Sequence, residues 1–241
     1  MRKAGGAERA VESMPRAPWV DVVIIGAGGH GREILLYARD LIGTGARIRV
    51  VGFVDEGRPS GHLGETEILG DFDELEALLE RRAEAPLQYI TAIGDNRARR
   101  QCVEKAECFA ARNFVPWTLR HPRSIVGDDG SIGEGTCLAP GSVFTTNVRI
   151  GKHCIVNVNA SISHDSAVGD FSNINPGVVV AGNVRIGEGC YIGAGATVID
   201  KVSIGAWTTV GAGAVVIEDL PPHVTAVGVP AKIIRRNESP R

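Results

Sequence analysis

The sequence predicts an α/β N-terminal Rossmann-like small domain followed by a long parallel β-helix. Sixteen apolar residues stand six apart without a break: Val126, Ile132, Leu138, Phe144, Ile150, Val156, Ile162, Val168, Ile174, Val180, Ile186, Ile192, Val198, Ile204, Val210 and Val216. Small or branched side chains recur two positions before many of them, as at Thr136, Ser142, Cys154, Ala160, Ser166 and Cys190. Neither a helix, with period 3.6, nor a simple strand, with period 2, produces a period of six. A chain that turns a corner every six residues does, which is the pattern of a hexapeptide β-helix. The α/β domain is predicted by strand and helix patterns that alternate ahead of the repeat, opening with a glycine-rich loop.

Composition narrows the function classes. The chain has 241 residues and a net charge of −2, so it carries no nucleic-acid footprint. No apolar run reaches membrane-spanning length, which predicts no membrane partner. Residues 1–19 mix charge, Gly and Ala without an apolar signal core and read as a flexible extension. Of the five cysteines, Cys154 and Cys190 fall on the small inward position of the repeat, which predicts buried free thiols and a reducing, cytoplasmic setting.

Residues 20–25 read as a buried strand, followed by Gly26-Ala-Gly-Gly-His-Gly31 and a helix over 32–41. A second strand is expected at 48–54, ending in Asp55-Glu56, and then a loop over 57–70. Asp71, or else Asp73, caps a helix over 72–84. Residues 89–93 form a third parallel strand, 97–112 a helix, and 113–115 a short strand. The Arg-rich stretch 97–100 reads as a solvated helix face. The expected division is a 20–120 nucleotide-sugar-binding domain, a 121–220 β-helix and a 221–241 cap and tail that covers the open end of the coil.

Strand side chains alternate, so the spaced aliphatic and the small residue two before it both point inward. The second and third residues after each aliphatic make the corner. Three such sides close a triangular coil of eighteen residues, and sixteen hexads stack into about five coils at roughly 4.8 Å. His164 and Asp165 follow Ile162 by two and three positions, so both sit on a corner outside the core. Histidine titrates near neutrality and suits proton abstraction, and a carboxylate on its other ring nitrogen would fix the tautomer.

The hexads together with Gly-Ala-Gly-Gly-His30-Gly31, Ile93-Gly94-Asp95-Asn96, Ser163-His164-Asp165, Val168-Gly169-Asp170-Phe171, Val180-Ala-Gly182-Asn183 and Gly228-Val-Pro-Ala-Lys232 resemble one family. It is the hexapeptide-repeat sugar O/N-acetyltransferases of the sialic-acid acetyltransferase and bacillosamine-pathway type. The resemblance covers residues 20–236. It implies a left-handed parallel β-helix, a homotrimer, acetyl-CoA as co-substrate with no metal, and a nucleotide-linked amino sugar as acceptor. It implies His164 as general base with Asp165 as its acidic partner, where near relatives carry Glu. Nucleotide-sugar contacts fall on Gly26, Gly28, Gly29, His30, Gly31, Asp55, Glu56, Gly94 and Asn96. The acetyl-CoA groove falls on Asn173, Asn175, Gly182 and Gly211, and position 173 is histidine in some relatives.

The implied function is direct N-acetylation of a nucleotide-linked amino sugar, with O-acetylation of sialic acid or a related sugar as the alternative. Gly26, Gly28 and Gly31 also match the G-x-G-x-x-G dinucleotide fingerprint, yet the chain offers no second lobe for a hydride acceptor. A zinc hydratase would need a third histidine on the coil beside His153 and His164. A non-catalytic scaffold is the remaining reading.

Overall fold

The structure is a computed structural model and describes residues 18–82 and 85–237. The expectation for residues 1–17 and the last two residues of the 72–84 helix therefore lie outside the described residues.

The N-terminal domain holds a six-stranded sheet flanked by helices. In chain order come β1 (Val20–Ile25), α1 (Gly29–Gly43), β2 (Ile48–Val54), β3 (Gly61–Leu63), β4 (Thr66–Gly70), α2 (Phe72–Arg82), β5 (Leu87–Thr91), α3 (Asn96–Glu107) and β6 (Phe114–Pro116). The spatial order is β3-β4-β2-β1-β5-β6, and only the β3–β4 pair is antiparallel. Val22, Val23 and Ile24 of β1 are inaccessible to solvent, as the unbroken apolar run requires of a strand covered on both faces.

The stretch expected as a 57–70 loop is instead the β3–β4 hairpin. Gly64 at φ 63° opens a two-residue turn between Leu63 and Thr66, and Ile68 is buried against the sheet. Asp71 does cap α2: its Oδ1 accepts the Asp73 N–H at 2.8 Å, and Glu74 Oε2 accepts the Asp71 N–H at 3.0 Å, a reciprocal capping box. Asp95 caps α3 through the Ala98 N–H.

The repeat folds as a three-sided prism of two-residue strands. The first face runs from Leu119–Arg120 through Cys137–Leu138, Ile155–Val156, Asn173–Ile174, Tyr191–Ile192 and Thr209–Val210. The second face holds Ile125–Val126, Ser161–Ile162 and Val179–Val180 among its six strands, and the third holds Ser131–Ile132, Ala167–Val168 and Arg185–Ile186 among its five. Strands pair in parallel with partners eighteen residues away, as Ile162 with Val180. The coil thus starts at Leu119 on the first face. Val156, Ile162, Ile174, Val180, Ile192 and Val198 are inaccessible, each worth about 1.5–3 kcal/mol of burial.

From Gly135 to Gly213 the third residue after every aliphatic has positive φ. Gly, Asn and Asp fill most of these sites because they tolerate the left-handed region. His153, Phe171 and Trp207 are costlier occupants, at φ 51°, 56° and 58°, and all lie on the edge between the third and first faces. That edge receives the α/β domain. His153 stacks between Tyr89 and Phe171, so this corner histidine is buried at 2% exposure rather than solvated. The chain closes the coil with strands Val224–Val227 and Lys232–Arg236, the latter antiparallel at the edge of the first face.

Candidate active site

Two groups of side chains collect on different edges of the prism. One lies where the α/β domain meets the edge between the third and first faces. The other lies on the edge between the second and third faces.

At the first location, β1 pairs with β2 on one side and β5 on the other, so the loops after β1 and β5 flank the switch point where open α/β sheets bind ligands. Gly26 sits at φ 110°, and a Cβ there would stand 3.0 Å from the Ala92 carbonyl oxygen. A Cβ on Gly31 would stand 2.1 Å from the Gly26 carbonyl oxygen, so only glycine lets the loop fold onto α1. Gly28 and Gly29 face open space at the N-terminus of α1, whose first turn carries no acidic residue. That end presents free N–H groups suited to a phosphate. Asp55 braces the loop, accepting the Ala27 N–H at 2.7 Å and the Gly57 N–H at 2.9 Å. Glu56 is paired with Lys105, and His30 Nδ1 lies 2.9 Å from Glu33 Oε2.

The β5 loop is pinned to the coil by Arg99, which is fully buried. Its guanidinium donates to the carbonyls of Ile93, His153 and Phe171 and to Asn173 Oδ1, at 2.7–2.9 Å. Asn173 Nδ2 in turn donates to the Gly94 carbonyl at 2.6 Å. Burial pushes the guanidinium pKa down to about 10. The expected solvated face therefore fails at this residue, because α3 turns Arg99 into the domain junction. Asn96 Nδ2 donates to the Gly189 and Cys190 carbonyls, while its buried Oδ1 has no hydrogen-bond partner. Gly94, Asn96, Asn173 and Asn175 line one cleft of 830 Å³, with Tyr191, Trp207 and the cationic Arg97, Arg235 and Arg236 at its walls.

At the second location, His164 Nδ1 lies 2.9 Å from Asp165 Oδ2. Both side chains are open, at 57% and 46% exposure. With the Nδ1 proton given to the carboxylate, Nε2 keeps a free lone pair. The ring lies across Gly182, one coil further on, where a Cβ would stand 2.6 Å from Cε1 and Nε2. Asn147, one coil back, donates its amide to Asp165 Oδ1 at 2.8 Å. That amide and then the imidazole hold the Asp165 carboxyl below its usual range.

The structure thus divides the residues expected to form the groove. Asn173 and Asn175 line the cleft beside the β5 loop, with the Asn173 amide engaged by Arg99 and Gly94. Gly182 belongs with His164. Gly211 packs against Val227 and donates its N–H to the Ala226 carbonyl at 2.8 Å, at the end strand. Arg99 and Asn147 are absent from the sequence-derived set. Only Asn147 left a readable signal, its eighteen-residue spacing from Asp165. Among the described residues no three His, Cys, Asp or Glu side chains gather as a metal-holding group, and no helix is long and apolar enough to cross a membrane.

A prism of hexapeptide coils with an open His–Asp corner, joined to a glycine-loop α/β domain, has the architecture of a hexapeptide-repeat transferase. The family described as the PglD N-terminal domain matches residues 21–106, and the bacterial transferase hexapeptide (six repeats) matches 165–200 and 183–218. The chain is similar over 89% of its length to the acetyltransferase domain of PglB from Neisseria gonorrhoeae, with 33% identity, 99% of that chain covered and a TM-score of 0.78. It is equally similar to a histidine-to-alanine variant of the GDP-perosamine N-acetyltransferase from Caulobacter crescentus, solved with CoA and GDP-perosamine. There the identity is 35%, the coverage 88% of this chain and 96% of that one, and the TM-score 0.79.

Among curated proteins, the Escherichia coli GDP-perosamine N-acetyltransferase is 30% identical over 143 residues, 58% of this chain and 61% of that relative. The Bacillus subtilis UDP-N-acetylbacillosamine N-acetyltransferase is 36% identical over 118 residues, 49% of this chain and 50% of the relative. The aligned stretches span between half and three-fifths of these curated relatives. The chain belongs to the hexapeptide-repeat sugar acetyltransferases.

Proposed function

We propose that this protein transfers the acetyl group of acetyl-CoA to the amine of a nucleotide-linked amino sugar. The observation that carries the reading is the His164–Asp165 pair on an open prism edge, with Nε2 unpaired and the ring seated on Gly182. The names of the relatives support the substrate class, since they describe N-acetyltransferases of GDP- and UDP-linked sugars.

In the reaction the sugar amine attacks the thioester carbonyl, forming the N–C bond. His164 Nε2 takes the amine proton as the C–S bond breaks, and the proton passes to the departing CoA sulfur. Asp165 stabilises the imidazolium through Nδ1. A backbone N–H at Gly182 is suited to the developing oxyanion. Gly26, Gly28, Gly29, His30 and Gly31 hold the diphosphate at the N-terminus of α1, with Asp55 and Glu56 on the nucleoside side. Asn96, Gly94, Asn173 and Asn175 line the cleft for the reacting ends of the substrates, and Gly211 lies toward the far end of the acetyl-CoA groove.

The α/β domain that carries the glycine loop docks on one edge of the prism, through Asn96 and Arg99, and His164 stands on another. A complete site then takes the loop from one subunit and the imidazole from its neighbour, which supports a homotrimer. The buried free thiols of Cys137, Cys154 and Cys190 support a reducing cytoplasm. The test is CoA-thiol release from acetyl-CoA against a panel of GDP- and UDP-amino sugars and free sialic acid. N-acetylation of a nucleotide amino sugar supports the reading, whereas turnover of sialic acid alone replaces it with O-acetylation.

A further inference from the structure

We propose that Asn147 is a positioning residue of the acetyl transfer, acting through Asp165 to hold the imidazole of His164 in its working orientation. This rests on the reading of His164 as the base.

The Asp165 carboxylate is engaged at both oxygens by different donors. Asn147 Nδ2 takes Oδ1 at 2.8 Å, and His164 Nδ1 takes Oδ2 at 2.9 Å. A carboxylate on its own turns broadly about its last torsion. With one oxygen fixed from the preceding coil, the other is aimed along the ring. The backbone of Asp165 is tied to the same coil, since its N–H donates to the Thr146 carbonyl at 3.1 Å. The imidazole is then confined on two sides, by Oδ2 at Nδ1 and by Gly182 beneath the Cε1–Nε2 edge.

The residue type fits the task. Position 147 has φ 52°, where Asn is tolerated and most side chains are strained. It must also supply a donor, because it faces a carboxylate. Glycine satisfies the backbone and not the donor, and Asp satisfies the backbone and repels Asp165. A neutral amide orients the carboxylate without adding charge beside the base. The remaining charged corner residues of this edge lie on other coils: Asp128 and Asp129 before Asn147, and Asp200, Lys201, Glu218 and Asp219 after Gly182, with Lys201 Nζ 3.9 Å from Asp200 Oδ2, Glu218 paired with Lys232, and Asp219 accepting the Ser203 N–H.

Two variants test the proposal, and both suit the left-handed backbone. Asn147→Gly is expected to lower kcat about tenfold while the KM for acetyl-CoA and for the nucleotide sugar each stay within about twofold. Asn147→Asp places a second carboxylate beside Asp165, favours the imidazolium, and should move the acid limb of the pH–rate profile up by roughly half to one unit. A purely structural asparagine would lower the melting temperature and leave that limb in place. Wild-type kcat and an unmoved limb in both variants would overturn the role of Asn147. If His164→Ala is inactive in the same assay, the base reading survives that failure. If His164→Ala keeps full turnover, the base reading itself is lost.

Discussion

The His164 imidazole lies against Gly182, one coil further on, and the same stacking lets the His164 carbonyl accept the N–H of the adjoining Asn183 at 2.9 Å. A Cβ at position 182 would stand 2.6 Å from the ring's Cε1 and Nε2. Gly182→Ala must therefore displace the imidazole, which is the softer partner because its χ angles can turn. The expected result is a loss of about 100-fold in kcat, since a shift near 1 Å at a reacting group costs about that much. The melting temperature should change by only a few degrees, as the inward-facing core is untouched. Steady-state kinetics and a thermal melt check both halves.

The docking of the glycine-loop domain on one edge, with His164 on another, predicts complementation between two inactive variants. Gly31→Ala cannot close its loop, because the new Cβ meets a backbone oxygen at 2.1 Å. His164→Ala lacks the base. If each site takes its loop and its imidazole from neighbouring subunits, randomly mixed assemblies should regain activity in about a quarter of their sites. Unfolding and refolding the two variants together, then assaying thiol release, measures this. A site built within one chain would recover nothing.

Much of this architecture was legible in the sequence for one reason. A period of six fixes both which side chains point inward and where corners fall, so His164 and Asp165 could be placed before any coordinates. What could not be read was the partner of each corner. His153 occupies the same kind of position as Asp165, yet Tyr89 from a distant strand covers it. Arg99 sits in a run of arginines whose helical pattern looks solvated, and only the docking of α3 onto the coil buries it. The β3–β4 hairpin escaped because its strands are too short for alternation to register, with Gly64-Glu65 as the sole turn signal. Gly182 and Gly211 stand two and one residues after their aliphatics, but the hexad alone does not say that His164 lies on the first and Val227 on the second.

Arg99 predicts how tightly the domains are coupled. Arg99→Met removes the donor for three backbone carbonyls and for Asn173 Oδ1 in a buried place. Each acceptor left unpaired costs about 1–3 kcal/mol, so a loss of at least about 4 kcal/mol is expected. Urea denaturation measures it. Arg99→Lys should recover only part of the loss, since an ammonium cannot span the same fork of acceptors.

His153 predicts a pH dependence of stability. Burial lowers its pKa from 6.5 to about 4. The unfolded chain therefore binds a proton first as pH falls, and this group's contribution is fully present above pH 6.5 and is lost progressively toward about pH 4. The loss is at most about 3 kcal/mol. His153→Asn, which tolerates the left-handed backbone, should flatten this part of the profile while lowering stability at pH 7 through the lost stack. Denaturation midpoints at pH 7 and pH 4.5 for both proteins give the comparison.

The most direct measurement is the turnover of acetyl-CoA with a nucleotide-linked amino sugar by wild-type protein and by His164→Ala. The account predicts thiol release by the wild type and a fall in kcat of about 100- to 10,000-fold in the variant, with both KM values retained. Undiminished turnover by His164→Ala would contradict it.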